Sequence, residues 1–311
     1  MNKMINPEHR KFWNRDFILL LLAQFLLSVS VYSYLTLGAK YSFVSGSMRG
    51  VWGLLAYVVG LPLLGAYTSY GVERKRRNHS CIVSMLILAV AMWFTYREMT
   101  DTSKAGSHIM LVVLMFVSGL FSGLSQLILQ GTLLIDVITS SDRSKAHKFS
   151  LAMTVLSACI APVFSLMVYE RIKLSAYLVF IAVLAVAVFC VLLVRFPFRS
   201  PADKVWYFSF DRFFYPKKWV VALLSILASS IFGYIVSNGI LVIFSKSISI
   251  VQISVIIIAL AVMVVLMMLF QSLFSKHIEH CQRSTVHNSQ WLCLEWGLVL
   301  GVFLRLLSAL Y

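Results

Sequence analysis

Charge is what this sequence has least of. Only 13% of its residues are Asp, Glu, Lys or Arg, against about a quarter in a water-soluble domain. Acids are the scarcer sign, with 12 Asp+Glu among 311 residues. A chain that is 60% hydrophobic lacks the polar surface to cover itself in water, which excludes a soluble enzyme and a disordered chain. Cysteine is also sparse and odd in number: Cys81, Cys159, Cys190, Cys281 and Cys293, with no CxxC. Most sit in or beside apolar runs, where a thiol acts as a small hydrophobe, so a disulfide framework is not expected. No paired-carboxylate motif, GxSxG or Walker loop occurs. We therefore expect neither an enzyme nor a cofactor-dependent protein.

What the sequence has instead is long apolar runs. Nine are long enough, or nearly so, to cross about 30 Å of hydrocarbon as helices. They cover 17–37, 51–70, 81–96, 108–135, 149–168, 175–195, 219–244, 248–274 and 290–310. The third is short and needs neighbouring helices or local thinning of the bilayer. The expected fold is all-α, a polytopic membrane bundle of about nine transmembrane helices. The first run follows Arg10, Lys11 and Arg15, as a signal peptide would, but its apolar length of about 21 residues exceeds a signal h-region. It reads as a retained helix.

The excess base orients the bundle. With the N-terminus inside, Lys3, Arg10, Lys11 and Arg15 fall on the inner face, as do Arg74, Lys75, Arg76 and Arg77, and Arg143, Lys145 and Lys148. The long central loop adds six more and the last inner loop Lys276 and Arg283, giving nineteen inside against seven outside. That is the positive-inside bias of a cell membrane protein, inner or plasma membrane, with a cytoplasmic N-terminus. A pI near 9.8 is then explained by cytoplasmic anchoring, and a nucleic-acid partner is not expected. Asn78-His79-Ser80 fits a glycosylation acceptor but falls on the cytoplasmic side.

Three segments follow: 1–197 with six runs, 198–218 as a cytoplasmic amphipathic linker, and 219–311 with three runs. The linker mixes Trp206, Tyr207, Phe208 and Phe210 with Lys204, Arg212, Lys217 and Lys218, a composition suited to the membrane–water interface.

Polar residues inside the runs are the candidate site. In run one Gln24, Ser28 and Tyr32 recur at i, i+4, i+8; in run four Ser118, Ser122, Ser125 and Gln126 share a face with Gln130 beyond; in run seven Tyr234 and Asn238 are i, i+4. Such stripes either line a polar cavity for a small solute or hydrogen-bond helix to helix. Gly119-xxx-Gly123, beside the serines, and Gly50, Gly53, Gly60 and Gly65 in run two point to close helix approach. Glu295 is the only acid inside a run and so the only candidate for proton coupling, unless the helix starts at Trp296 and leaves it interfacial. Lys276-His277-Ile278-Glu279-His280-Cys281 with His287 reads as a solvated loop rather than a metal site.

Six runs, a long inner loop and further runs resemble the major facilitator superfamily of transporters. The loop Ser69-Tyr70-Gly71-Val72-Glu73-Arg74-Lys75-Arg76-Arg77-Asn78 is similar to that family's acid-and-base loop between helices 2 and 3. Pro162 in Ser157-Ala158-Cys159-Ile160-Ala161-Pro162 stands where its antiporters carry a Gly-Pro motif, and Asp142-Arg143 resembles the loop after helix 4. The resemblance implies an N-terminal six-helix half, a conformational latch of Glu73 with Arg74, Arg77 and Arg143, and alternating access to a small solute. Three runs after the linker, where the family has six, imply a shortened second half. A second copy or a partner membrane protein would then complete the wall. The rival expectation is a non-transporting membrane subunit that keeps the fold and binds such a partner. A lipid-handling protein using run eight is a third.

Overall fold

The computed structural model describes residues 12–45, 49–68, 77–100, 108–134, 137–138, 142–194 and 207–208, with Ser230 and Gly297 as isolated positions. Six long helices dominate: α1 (Arg15–Ser45), α2 (Arg49–Ala66), α3 (Arg77–Thr100), α4 (His108–Ile128), α5 (Arg143–Ile172) and α6 (Ala176–Leu192). They occupy the first six apolar runs. Of the other three runs, only Ser230 and Gly297 are among the described residues.

Four stretches are apolar and long enough to cross a membrane: Arg15–Gly38, Asn78–Thr100, Ile109–Ile128 and Lys145–Leu192, the last containing both α5 and α6. The apolar part of α2, Trp52–Leu61, is shorter. Burial is inverted relative to a soluble protein. Gln24, Ser28, Ser118, Gln126, Ser150 and Thr154 are inside, while Leu22, Leu86, Val90, Trp93, Met167 and Phe189 face outward. Large apolar side chains on so much of the outer surface would aggregate in water. They are at rest against acyl chains, so the protein is membrane-embedded.

Two boundaries differ from expectation. The third run, expected to be short, becomes a 24-residue helix of about 36 Å. Arg77, Asn78, His79 and Ser80 continue it at one end and Arg97, Glu98, Met99 and Thr100 at the other, so mostly polar flanks extend the helix beyond its apolar part. The second run ends at Ala66 rather than 70, because Tyr67 and Thr68 leave the helix to pair antiparallel with Phe208 and Tyr207.

Helix starts and breaks have local causes. Asn14 caps α1, its Oδ1 accepting the Phe17 amide at 2.7 Å, which satisfies one donor left free at a helix start. Its Nδ2 donates to the Val137 carbonyl at 3.2 Å, tying the α4–α5 connection to α1. We expect Asn14→Ala to cost about 1 kcal/mol in an unfolding titration in mixed micelles, and Asn14→Asp to recover the cap but not the Val137 bond. Pro162 lies inside α5 and removes one intrahelical bond. Serine hydroxyls crowd that turn: Ser165 donates to the Pro162 carbonyl at 2.9 Å and Ser33 of α1 to the Ala161 carbonyl at 3.2 Å. Lys173, at φ 53°, turns the chain from α5 into α6.

Contacts between named residues fix the helix directions. Along α1 and α5, Phe17 is linked to Phe149 through Phe12, Gln24 meets Ser150 and Thr154, and Ser33 meets Ala161, so the two run parallel. Ser30 with Met92 and Tyr34 with Thr95 make α1 and α3 parallel. Ser28 with Gln126 and Tyr34 with Ser118 make α1 and α4 antiparallel. Ser30 with the Phe180 carbonyl and Tyr34 with Tyr177 make α6 antiparallel to α1. On α2, Gly53, Tyr57 and Leu61 meet Met115, Gly119 and Gly123 in order, so α2 runs with α4. Odd helices thus point one way and even helices the other, as successive crossings must.

The main pairings repeat. α2 packs on α4 as α5 packs on α1; α3 packs on α4 as α6 packs on α1; α3 and α6 meet each other. Exchanging α1, α2, α3 for α4, α5, α6, with direction reversed, returns these five pairings; the smaller α1–α2 contact has no α4–α5 counterpart of similar extent.

Candidate functional site

Helix α4 is the hub of the polar interior. Its serine stripe distributes hydroxyls to three neighbours. Ser118 meets the Tyr34 hydroxyl of α1 at 3.2 Å, Ser122 accepts from the Tyr57 hydroxyl of α2 at 2.9 Å, and Ser125 meets Ser84 of α3 at 2.7 Å. Tyr34 also bonds Thr95 of α3 at 3.0 Å. Each hydroxyl finds a partner where no water competes, the usual way polar groups are kept in lipid-embedded bundles.

Beside the glycines the contact is backbone to backbone. A Cβ added at Gly60 would sit 2.6 Å from the Phe116 carbonyl oxygen; one at Gly119 or Gly123 would enter the carbonyls of Tyr57 and Leu61. The glycine Hα therefore points at those oxygens, a Cα–H···O contact available only without a side chain.

Three amides form the densest cluster. Gln24 and Gln126 are fully buried and Gln130 is 2% exposed. Gln24 is locked to α5: its Nε2 donates to the Ser150 carbonyl at 3.0 Å and to Thr154 Oγ1 at 2.8 Å, and its Oε1 accepts from Ser150 Oγ at 2.8 Å. Gln126 Nε2 donates to Ser28 Oγ of α1 at 2.9 Å. Gln130 Nε2 donates to Gln126 Oε1 at 2.9 Å and to Thr154 Oγ1 at 3.3 Å. Gln130 lies where α4 gives way to a π turn, Leu129–Leu133. One extra residue per turn rotates Gln130 relative to a regular helix, a device common at functional positions. Three helices are thus joined at one point without a formal charge.

Of the expected site residues, Gln24, Gln126 and Gln130 come together here, and each amide bonds a partner on another element. Tyr32 is buried on α1, two turns beyond Gln24. Arg77 and Arg143 open α3 and α5; Glu73, Arg74, Tyr234, Asn238 and Glu295 lie outside the described residues. Near the expected latch, Asp142 pairs with Lys145 at 3.0 Å on the exposed surface, a pair of little energetic weight. Sequence reasoning did not single out Ser150 and Thr154, which supply the α5 side of the cluster. Their signal is the i, i+4 spacing within an apolar run. Among the described residues no group of three His, Cys, Asp or Glu is placed to hold a metal.

No protein-family model matches this chain, and no curated protein matches it either.

Proposed function

We propose that the chain is a secondary membrane transporter of the major facilitator type, moving a small solute by alternating access. The observation that supports it is the exchanged, direction-reversed pairing of α1–α3 with α4–α6. Two inverted three-helix repeats nested in a six-helix half are the architecture of that superfamily. In such a half, the first helix of each repeat meets its counterpart at the centre. Here α1 and α4 meet through Gln126–Ser28 and Tyr34–Ser118.

A second reading has its own observation. Gln24 and Gln126 are closed off, each bonded to a neighbouring helix. Paired amides suit a rigid membrane subunit that holds a partner protein and moves nothing. One experiment separates the two. Purified chain is placed in liposomes and offered radiolabelled sugars, polyols, amino acids and organic cations, with and without a pH gradient. Saturable uptake of any of them, lost in Gln126→Leu, supports transport. No uptake, together with a membrane protein that co-purifies in fixed ratio, supports the subunit.

A further inference from the structure

The hydrogen bonds around Gln130 can be followed one by one, and one acceptor is left over. Thr154 has one hydroxyl proton, which goes to the Ser150 carbonyl at 3.2 Å, while its oxygen accepts from Gln24 and Gln130. Both Gln24 Nε2 hydrogens are used, on the Ser150 carbonyl and Thr154, and its oxygen is filled by Ser150. Both Gln130 Nε2 hydrogens are used as well, on Gln126 and Thr154. With its Nε2 given to Gln126 Oε1 and Thr154 Oγ1, Gln130 leaves its own Oε1 to find a donor elsewhere. Gln130 Oε1 is then buried with no donor, on a side chain 2% exposed, at the π turn.

An amide oxygen without a donor is costly away from water. We infer that Gln130 Oε1 is the acceptor of a buried subsite for one uncharged hydrogen-bond donor, an O–H or N–H group, supplied by water or by a neutral solute. Neutrality follows from the surroundings. The groups bonded in the cluster are amides, hydroxyls and a peptide carbonyl, none of which offsets the burial of an ammonium ion. The subsite stands on this geometry whether or not the chain moves a solute.

The full chain, labelled with carbonyl-13C glutamine in nanodiscs, tests this by difference infrared spectroscopy. The wild-type minus Gln130→Met spectrum isolates the Gln130 side-chain carbonyl; the isosteric Gln130→Glu serves if the methionine variant fails to fold. A carbonyl band at the hydrogen-bonded position in buffer alone, broadened or shifted in D2O, establishes water as the donor. A band at the free position that moves to the hydrogen-bonded one on adding glycerol, sorbitol or urea establishes a neutral solute. A band at the free position in buffer and with all three probes overturns the subsite.

Discussion

Replacing Gly123 by alanine is expected to break the α2–α4 pair. The added methyl would enter the carbonyl oxygen of Leu61, and a backbone atom cannot swing aside. The helices must separate along their length, losing the Cα–H···O contact and the packing around Gly60 and Gly119. The expected cost is about 3 kcal/mol, the upper end for overpacking a filled site. Gly119→Ala, aimed at the Tyr57 carbonyl, belongs in the same class. The control is Gly38→Ala, whose methyl meets only the Met115 Cε at 2.8 Å. That flexible end can move, and alanine gains helix propensity of up to about 1 kcal/mol. Unfolding titrations in mixed micelles should therefore show Gly123→Ala and Gly119→Ala strongly destabilised and Gly38→Ala close to the parent. Equal effects at all three would mean that α2 and α4 are not in backbone contact.

The second large effect is expected at Thr154. Thr154→Val changes almost no volume, yet strands two amide hydrogens, one from Gln24 and one from Gln130. An unsatisfied buried donor costs about 1–3 kcal/mol, so the two together are worth roughly 2–6 kcal/mol. In a bilayer the unfolded reference finds substitute partners, which pulls the figure toward its lower end. Thr36→Val is the matched control, because that hydroxyl bonds only the Tyr32 carbonyl of its own helix, at 2.7 Å; its loss should cost well under 1 kcal/mol. A cycle pairing Thr154→Val with Gln24→Leu should be strongly non-additive, since both act on one network.

These two sites also mark how far the sequence could be read. Six helices were legible because hydrocarbon demands about 20 apolar residues per crossing and tolerates little else. The ends of α3 were not, since Arg77–Ser80 and Arg97–Thr100, polar but for Met99, continue a helix beyond its apolar part. The Gly119-xxx-Gly123 contact was legible because only close approach rewards glycine in a membrane helix. Gln24, Gln126 and Gln130 stood out as bulky amides in apolar runs. Their α5 partners did not, because one serine and one threonine in such a run carry no signal until the neighbouring helix is known. The π turn at Leu129–Leu133 was silent too. It differs from an α turn by a one-residue shift in bonding, which composition does not record.

Helix direction alternates from α1 to α6; with the orientation we propose from the charges, α1, α3 and α5 would rise from the cytoplasmic side and α2, α4 and α6 return to it. The most direct test is cysteine accessibility in intact cells and inverted vesicles, on a version freed of its own five cysteines. Single cysteines at 76, between α2 and α3, and at 208, beside Tyr67, should react with a membrane-impermeant maleimide only from the cytoplasmic face. One at 103, between α3 and α4, should react only from the outside. Labelling of position 103 from the cytoplasm, or of 76 and 103 from the same face, would contradict the alternating crossings on which the transporter reading rests.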